Sequence, residues 1–290
     1  MRLAAFTTEE TSGDRIGRVT DDTVVDITDA VDSVGTALER LSSGTLPQGG
    51  PEIDRGTVRF RPPTTPANTV FAAALNYGSH IEEKSESDAI DTDDRGVPET
   101  PYFFLTLYRA LVGHEQPISY YASITDQFDF AGELAAVIGT PARNVSPAEA
   151  LDHVAGYTVF NDTAAYDIQN VAVGDTTWID WFSAKSMEAT TPIGPAITPA
   201  SEIADPHDLR IHSTVDGQTM QDGSTASMIR GIDEQIAFLS TRVTLQPGDV
   251  IATGTPEGVG AFQDVSLTSG DRVDIEIEGV GQLSNVVEEV

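Results

Sequence analysis

The chain is a succession of short apolar runs broken by turn residues, and few stretches keep a helical period. Arg2–Thr7, Arg15–Val19 and Thr23–Ile27 read as short strands, and Val34–Leu41 as a helical turn or two. Gly44–Asn68, rich in Gly, Pro and Thr, reads as a connector. Thr69–Leu75 is an apolar strand delivering Asn76 and Tyr77 to its end; Phe128–Ile138 reads as one long strand, and Val154–Phe160 as another ending at Asn161-Asp162. Ser146-Pro147-Ala148-Glu149 is a helix start, with Ser as N-cap, Pro at the first helical position and Glu at the third. Met228, Ile229, Ile232, Ile236 and Leu239 fall along one face of a helix over Met228–Leu239. Asp249–Ala252, Val273–Ile277 and Leu283–Val287 close the chain as strands. The pattern predicts a β-rich α+β fold with few short helices. A small N-terminal α+β domain with its connector is expected over 1–60, and a larger domain over 61–290.

Charge changes this picture more than composition does. Acidic residues outnumber basic ones 46 to 16, for a formal charge of −30, and they are spread along the whole chain. Phosphate binding is driven by Lys and Arg, so a nucleic-acid partner is excluded. The better reading is a halophile's surface, self-repelling at low salt and screened where the Debye length falls to ~3 Å. No run approaches the ~20 apolar residues of a membrane span. Met1-Arg2-Leu3-Ala4-Ala5-Phe6 turns polar at once, so a soluble, cytoplasmic protein is expected. Cysteine is absent, which removes disulfides and thiolate ligands. A metal would have to sit on carboxylates and imidazoles, favouring hard cations such as Mg²⁺, Mn²⁺ or Ca²⁺. Only two lysines occur, Lys84 and Lys185, and Lys185 sits in Phe182-Ser183-Ala184-Lys185-Ser186. The acidic segment Lys84–Thr100 reads as a loop or short lid, without the glycine and closing Glu of a calcium-binding EF-hand.

Several side chains carry candidate chemistry. Glu133 lies on a strand with the parity of Ala131, Ala135 and Val137, while Leu134, Ala136 and Ile138 point the other way. Asp162 sits where a second strand ends. Carboxylates from neighbouring strands can hold a hard cation whose octahedron is completed by water and substrate oxygens. By spacing alone they could equally be two acids on a solvent face. His80 and Glu83, three apart, share a face if the segment is helical, so Glu83 could orient His80 as a general base. An exposed helical turn is the plain alternative. Lys185 would stabilise negative charge developing on a carbonyl oxygen. The glycine-rich stretch from Gly248 to Gly260 lacks a P-loop lysine and precedes no helix pattern, so it does not read as a nucleotide cradle.

Four segments, in this order and spacing, resemble the fumarylacetoacetate hydrolase family: Asn76-Tyr77-Gly78-Ser79-His80-Ile81-Glu82-Glu83, Gly132-Glu133-Leu134-Ala135-Ala136-Val137-Ile138-Gly139, Asn161-Asp162, and Gly254-Thr255-Pro256-Glu257-Gly258-Val259-Gly260. The likeness covers about 58–290 and, with the acidic composition, points to a haloarchaeal-like member with a mixed β-sandwich/β-roll. It implies that Glu133 and Asp162 chelate Mg²⁺ or Mn²⁺, that Glu83 orients His80 to activate water, and that Lys185 stabilises an oxyanion. Tyr77, Gln221 and Thr255 would contact the substrate. Pro192-Ile193-Gly194-Pro195 and Met220-Gln221-Asp222-Gly223 match family turns. The implied activity is metal-dependent C–C hydrolysis of a small 2,4-dioxo acid of the acylpyruvate or fumarylpyruvate type, by a homodimer. The alternatives are a 2-oxo acid decarboxylase, isomerase or dehydratase, or a weakened member that only binds a small acid.

Three positions depart from the family pattern. Ala131 stands where the family has the first Glu of a Glu-x-Glu metal pair, Tyr166 where many members have Arg, and Thr106 where Lys is frequent. Asp129 shares the strand face of Ala131 but would lie roughly 6.6 Å further along, out of reach of the same coordination point without a local bulge.

Overall fold

The computed structural model describes residues 1–11, 13–20, 22–86 and 97–290. Most of the segment read as a loop or lid over Lys84–Thr100 therefore lies outside the described residues.

Two mixed sheets face each other. In the larger, the order runs from Glu52–Asp54 through Thr23–Asp26, Arg15–Val19, Arg2–Thr7, Thr191–Pro199, Val154–Asn161, Gly132–Ile138, Val250–Ala252 and Val70–Ala74 to Tyr102–Thr106. The smaller runs Gln218–Ser224, Arg210–Val215, Arg272–Ile277, Gly281–Glu289, Ile118–Tyr120. The alternation along Gly132–Ile138 works as the period of two requires. Leu134, Ala136 and Ile138 pack into a core with Ile211, Ile275 and Leu283 of the smaller sheet and Ile236 of the helix Ile232–Ser240. Ala135 and Val137 face a second core with Leu38 and Leu41 of the helix Val34–Ser42. A strand buried on both faces fixes its register firmly, because a one-residue slip would exchange the two cores. The N-terminal strand enters the same sheet, with Leu3 opposite Ile197. The result is the β-rich α+β architecture with few short helices.

Five details differ from the sequence reading. The long strand over Phe128–Ile138 is two strands, Phe128–Asp129 and Gly132–Ile138. Side chains take the ladder bonds between them: Phe130 N donates to Asp129 Oδ1 (2.8 Å) and Ala131 N to Asn161 Oδ1 (3.0 Å). The helix begins at Ile232, not Met228. Its expected first turn is drawn onto the end of another strand, where Met228 bridges Tyr77, and Ile229 N and Arg230 N donate to Asn76 O (2.8 Å) and Asn76 Oδ1 (2.9 Å). The connector Gly44–Asn68 contains two short strands, Glu52–Asp54 and Arg59–Arg61, paired to Thr23–Asp26 and Arg2–Thr7. Pro192–Pro195 and Met220–Gly223 lie inside strands rather than at turns. The register against Val154–Asn161 shifts between Gly194, opposite Val159, and Thr198, opposite Tyr157.

Truncating Leu134, which is fully buried between the two sheets, is expected to cost about 2–5 kcal/mol. A urea midpoint for Leu134→Ala at fixed KCl checks this; a loss below about 1 kcal/mol would mean that the two sheets do not share one tightly packed core.

Candidate functional site

Four chain segments meet at the end of the Gly132–Ile138 strand. The strand Val70–Ala74 leads through Asn76 into the helix Gly78–Glu86, which carries His80 and Glu83. Asn76 fastens that junction, its Nδ2 donating to Thr253 O (2.7 Å) and Arg230 O (3.1 Å). The short helix Trp181–Lys185, capped by Asp180 accepting from Ser183 N, ends on Lys185. The Gly254–Phe262 loop closes the group, and three carboxylates hold it by its backbone N–H groups. Glu133 Oε2 accepts from Gly254 N (3.0 Å), and both Glu83 oxygens accept from Gly258 N (3.0 and 3.1 Å). Asp129 accepts from Gly260 N (2.8 Å) and Ala261 N (3.0 Å).

The residues expected at a metal and catalytic centre are thus gathered, with distinct surroundings. Lys185 Nζ donates to Asp162 Oδ2 at 2.6 Å and lies 5.4 Å from the centre of the Phe104 ring. His80 Nδ1 stands 3.5 Å from Glu83 Oε2, and the imidazole packs on the Phe262 ring at 5.6 Å. Tyr77 is fully buried beside Glu133, and its hydroxyl has no hydrogen-bond partner among the described residues; the nearby Thr253 hydroxyl donates to Leu134 O at 2.8 Å. Gln221 and Thr255, expected at the substrate, make hydrogen bonds to the strand and to the loop. Gln221 Oε1 accepts from Gly132 N (2.9 Å) and Ser213 Oγ (2.8 Å), and its Nε2 donates to Thr255 Oγ1 (2.7 Å) and Pro256 O (3.0 Å). The Thr255 hydroxyl donates to Gly132 O at 2.9 Å. With their side-chain polar groups committed, this pair braces the loop against the strand.

Burial sets the electrostatics. Asp129 and Glu133 are each 2% exposed, Asp162 5% and Lys185 7%. Burial pushes Glu133 well above the usual carboxylate range, and the charge on Asp162 pushes it further, against Lys185 and the Gly254 N–H. Burial also raises Asp162, although Lys185 pulls the other way. Asp129 is pushed up to about 7 by burial, opposed by its three backbone N–H donors and by Lys185. The Tyr166 phenol is raised by burial and then by the charges of Asp129, Asp162, Glu83 and Glu133.

With both acids ionised, one ammonium against Glu133 and Asp162 leaves the pair one positive charge short. Asp162 Oδ1 is buried without a hydrogen-bond partner, which is costly unless a cation or water meets it. Among the described residues no three His, Asp or Glu side chains cluster as a metal cage, and Ala131, buried where a further carboxylate was expected, supplies no donor. Two carboxylates suffice for a hard cation that keeps waters or substrate oxygens in its other positions. Glu133 and Asp162 therefore fit Mg²⁺ or Mn²⁺. Asp129 does not join them, because its oxygens are taken by backbone donors.

Sequence reasoning missed Asp129 as a loop anchor, Asn76 as a junction clamp, and Phe262 as the wall behind His80. A signal for the first existed in the glycines at 258 and 260. A Cβ on Gly260 would stand 2.6 Å from Asp129 Oδ1.

The family model described as fumarylacetoacetate (FAA) hydrolase C-terminal matches residues 69–288. An oxaloacetate tautomerase of Bacillus subtilis is 38% identical over 225 residues, covering 77% of this chain and 70% of that protein. Among solved structures, fumarylacetoacetate hydrolase from Exiguobacterium antarcticum is similar over 100% of both chains, with TM-score 0.79 and 31% identity. Maleylpyruvate hydrolase from Sphingobium sp. SYK-6, in complex with manganese(II) and pyruvate, is similar over 100% of this chain and 99% of its own, with TM-score 0.76 and 27% identity.

Two outcomes follow from the charge deficit. Acids raised on folding hold their protons longer than in the unfolded chain, so metal-free stability is greatest at low pH within this linkage and is lost as pH rises through the folded values, about 7 for Asp129. Glu133→Gln is therefore expected to raise the metal-free melting temperature at neutral pH, by about 2–4 °C per kcal/mol relieved, and to remove stabilisation by Mn²⁺. Thermal melts in chelator and in excess Mn²⁺ check both; an unchanged metal-free melt would show that the Glu133 charge is already compensated. Ala131→Glu should tighten Mn²⁺ by roughly 10–100-fold, as read by calorimetric titration, and unchanged affinity would place the cation away from residue 131.

Proposed function

The chain belongs to the fumarylacetoacetate hydrolase family, and from that premise we propose that it moves a proton at the carbon beside the 2-oxo group of a small oxo acid, interconverting keto and enol forms. The observation that carries this reading is His80, a base held between Glu83, 3.5 Å from its Nδ1, and the Phe262 ring, in one site with the Lys185–Asp162 pair. Proton transfer needs a base and a stabiliser of negative oxygen, and His80 and Lys185 supply the two. The likeness to the Bacillus subtilis oxaloacetate tautomerase supports the same choice.

His80 takes the proton from the carbon, leaving the electron pair delocalised onto the carbonyl oxygen as an enolate. Lys185 supplies positive charge to that oxygen. His80 then gives the proton to the enolate oxygen, which yields the enol and restores the base; in the reverse direction His80 takes the enol O–H proton and delivers it to the carbon. Glu83 keeps the imidazole oriented. A divalent cation at Glu133 and Asp162 would supply Lewis-acid polarisation of the 2-oxo group. Tyr166, in place of a family arginine, gives the site a neutral hydrogen-bonding group among four acids.

The second reading is C–C hydrolysis of an acylpyruvate. The His80–Glu83 pair favours it because the same base can take a proton from water, and the likeness to maleylpyruvate hydrolase is consistent with it. The two share the enolate and differ in whether water attacks a distal carbonyl.

Chelator-treated protein in molar KCl, with Mn²⁺ or Mg²⁺ restored, should accelerate the ultraviolet decay of enol-oxaloacetate, and His80→Ala should lower the rate by roughly 10²–10⁴-fold. Cleavage of an acylpyruvate without acceleration of tautomerisation would move the assignment to the hydrolase. Turnover of neither by folded, metal-loaded protein would leave a binding protein.

A further inference from the structure

We infer that Asp129 is a positioning residue for the His80–Glu83 pair, acting through the Gly258–Phe262 turn. Nothing in the proton transfer itself requires a carboxylate at this place. It is nevertheless buried at 2% exposure, and its acceptors are spent on backbone: Oδ1 on Phe130 N and Gly260 N, both at 2.8 Å, and Oδ2 on Ala261 N at 3.0 Å. Two of those donors open the single 3-10 turn Gly260–Phe262. Burying a carboxylate is costly, and charge-assisted bonds to N–H groups that would otherwise lack acceptors offset part of that cost.

The turn holds both members of the pair. Phe262, its last residue, lies 5.6 Å from the His80 ring and 5.8 Å from the Tyr166 ring, so it stands between them. Gly258 N, two residues before the turn, accepts no substitute: it donates to both oxygens of Glu83, and Gly258 has φ +97°, where a side chain would be strained. A Cβ on Gly260 would press on Asp129 Oδ1 and on the Val265 carbonyl. Displacing the turn therefore moves the wall behind His80 and the donor under Glu83 together. Asp129 is the side chain that fixes the turn to the end of the Phe128–Asp129 strand, independently of the Glu133–Asp162 pair.

Asp129→Asn keeps the volume and replaces one accepting oxygen with an NH₂ group, which must face a backbone N–H. The full chain holds five histidines, so ¹³C-histidine labelling gives a small spectrum in which His80 is assigned by its loss in His80→Gln. With Mg²⁺ in molar KCl, the His80 ring signal in Asp129→Asn is expected to shift as the Phe262 ring current changes, while the other four signals hold. The kinetic arm rests on the proton-transfer reading: kcat should fall by up to about 100-fold with KM unchanged. Phe262→Leu should shift the same signal and lower kcat, and the double variant should be no worse than the poorer single one.

An unmoved His80 signal, or losses that add in the double variant, would overturn the inference. If Asp129→Asn fails to fold, all five signals collapse together, and Phe262→Leu decides alone: a stationary His80 signal there also overturns it. A wild type that turns over no oxo acid would remove the kinetic arm and the proposed function, leaving the histidine spectrum to test positioning by itself.

Discussion

Carboxylates placed in an apolar interior must find donors or cations, and this requirement organises the region between the two sheets. Asp129, Glu133 and Asp162 are all nearly solvent-free, and each solves the problem differently. Asp129 is satisfied by three backbone N–H groups. Asp162 takes the Lys185 ammonium on one oxygen and leaves the other without a partner. Glu133 accepts from Gly254 N and stands against the charge of Asp162. The first arrangement is finished and structural. The other two are incomplete, and their shared deficit is what makes a cation fit there.

The same requirement shapes the backbone. A loop rich in glycine can turn several N–H groups toward side chains, and here Glu133, Glu83 and Asp129 receive them in order along Gly254, Gly258 and Gly260–Ala261. Gln221 and Thr255 complete the frame from behind. The loop is therefore fixed by the acids it serves, so geometry and charge in the site cannot be altered separately. That coupling separates residues proposed to face a substrate, such as His80 and Lys185, from residues that hold them.

Most of the fold was legible because it rests on local pattern. Alternation along 132–138 placed Leu134 and Ala135 in two different cores, and the capping residues at Ser146 and Glu149 marked a helix start that formed as read. The failures occurred where long-range polar contacts override local preference. Asn161 and Asp129 side chains cut the strand at Phe130, and Asn76 drew Ile229 and Arg230 out of a helix whose apolar period includes Met228 and Ile229. In the site, motif spacing brought together His80, Glu83, Glu133, Asp162 and Lys185. It could not show that the Gln221 and Thr255 side chains are spent on the frame, since saturation of a polar group depends on partners scattered from Gly132 to Pro256.

Glu133 and Asp162, without residue 131 and without Asp129, are proposed as the cation site. A manganese-soaked crystal examined by anomalous scattering tests that assignment most directly. One peak is expected about 2.1 Å from a carboxylate oxygen of each of Glu133 and Asp162, with Asp129 still bonded to Gly260 and Ala261. A peak that recruits Asp129, or no peak between Glu133 and Asp162 at saturating Mn²⁺, would contradict it.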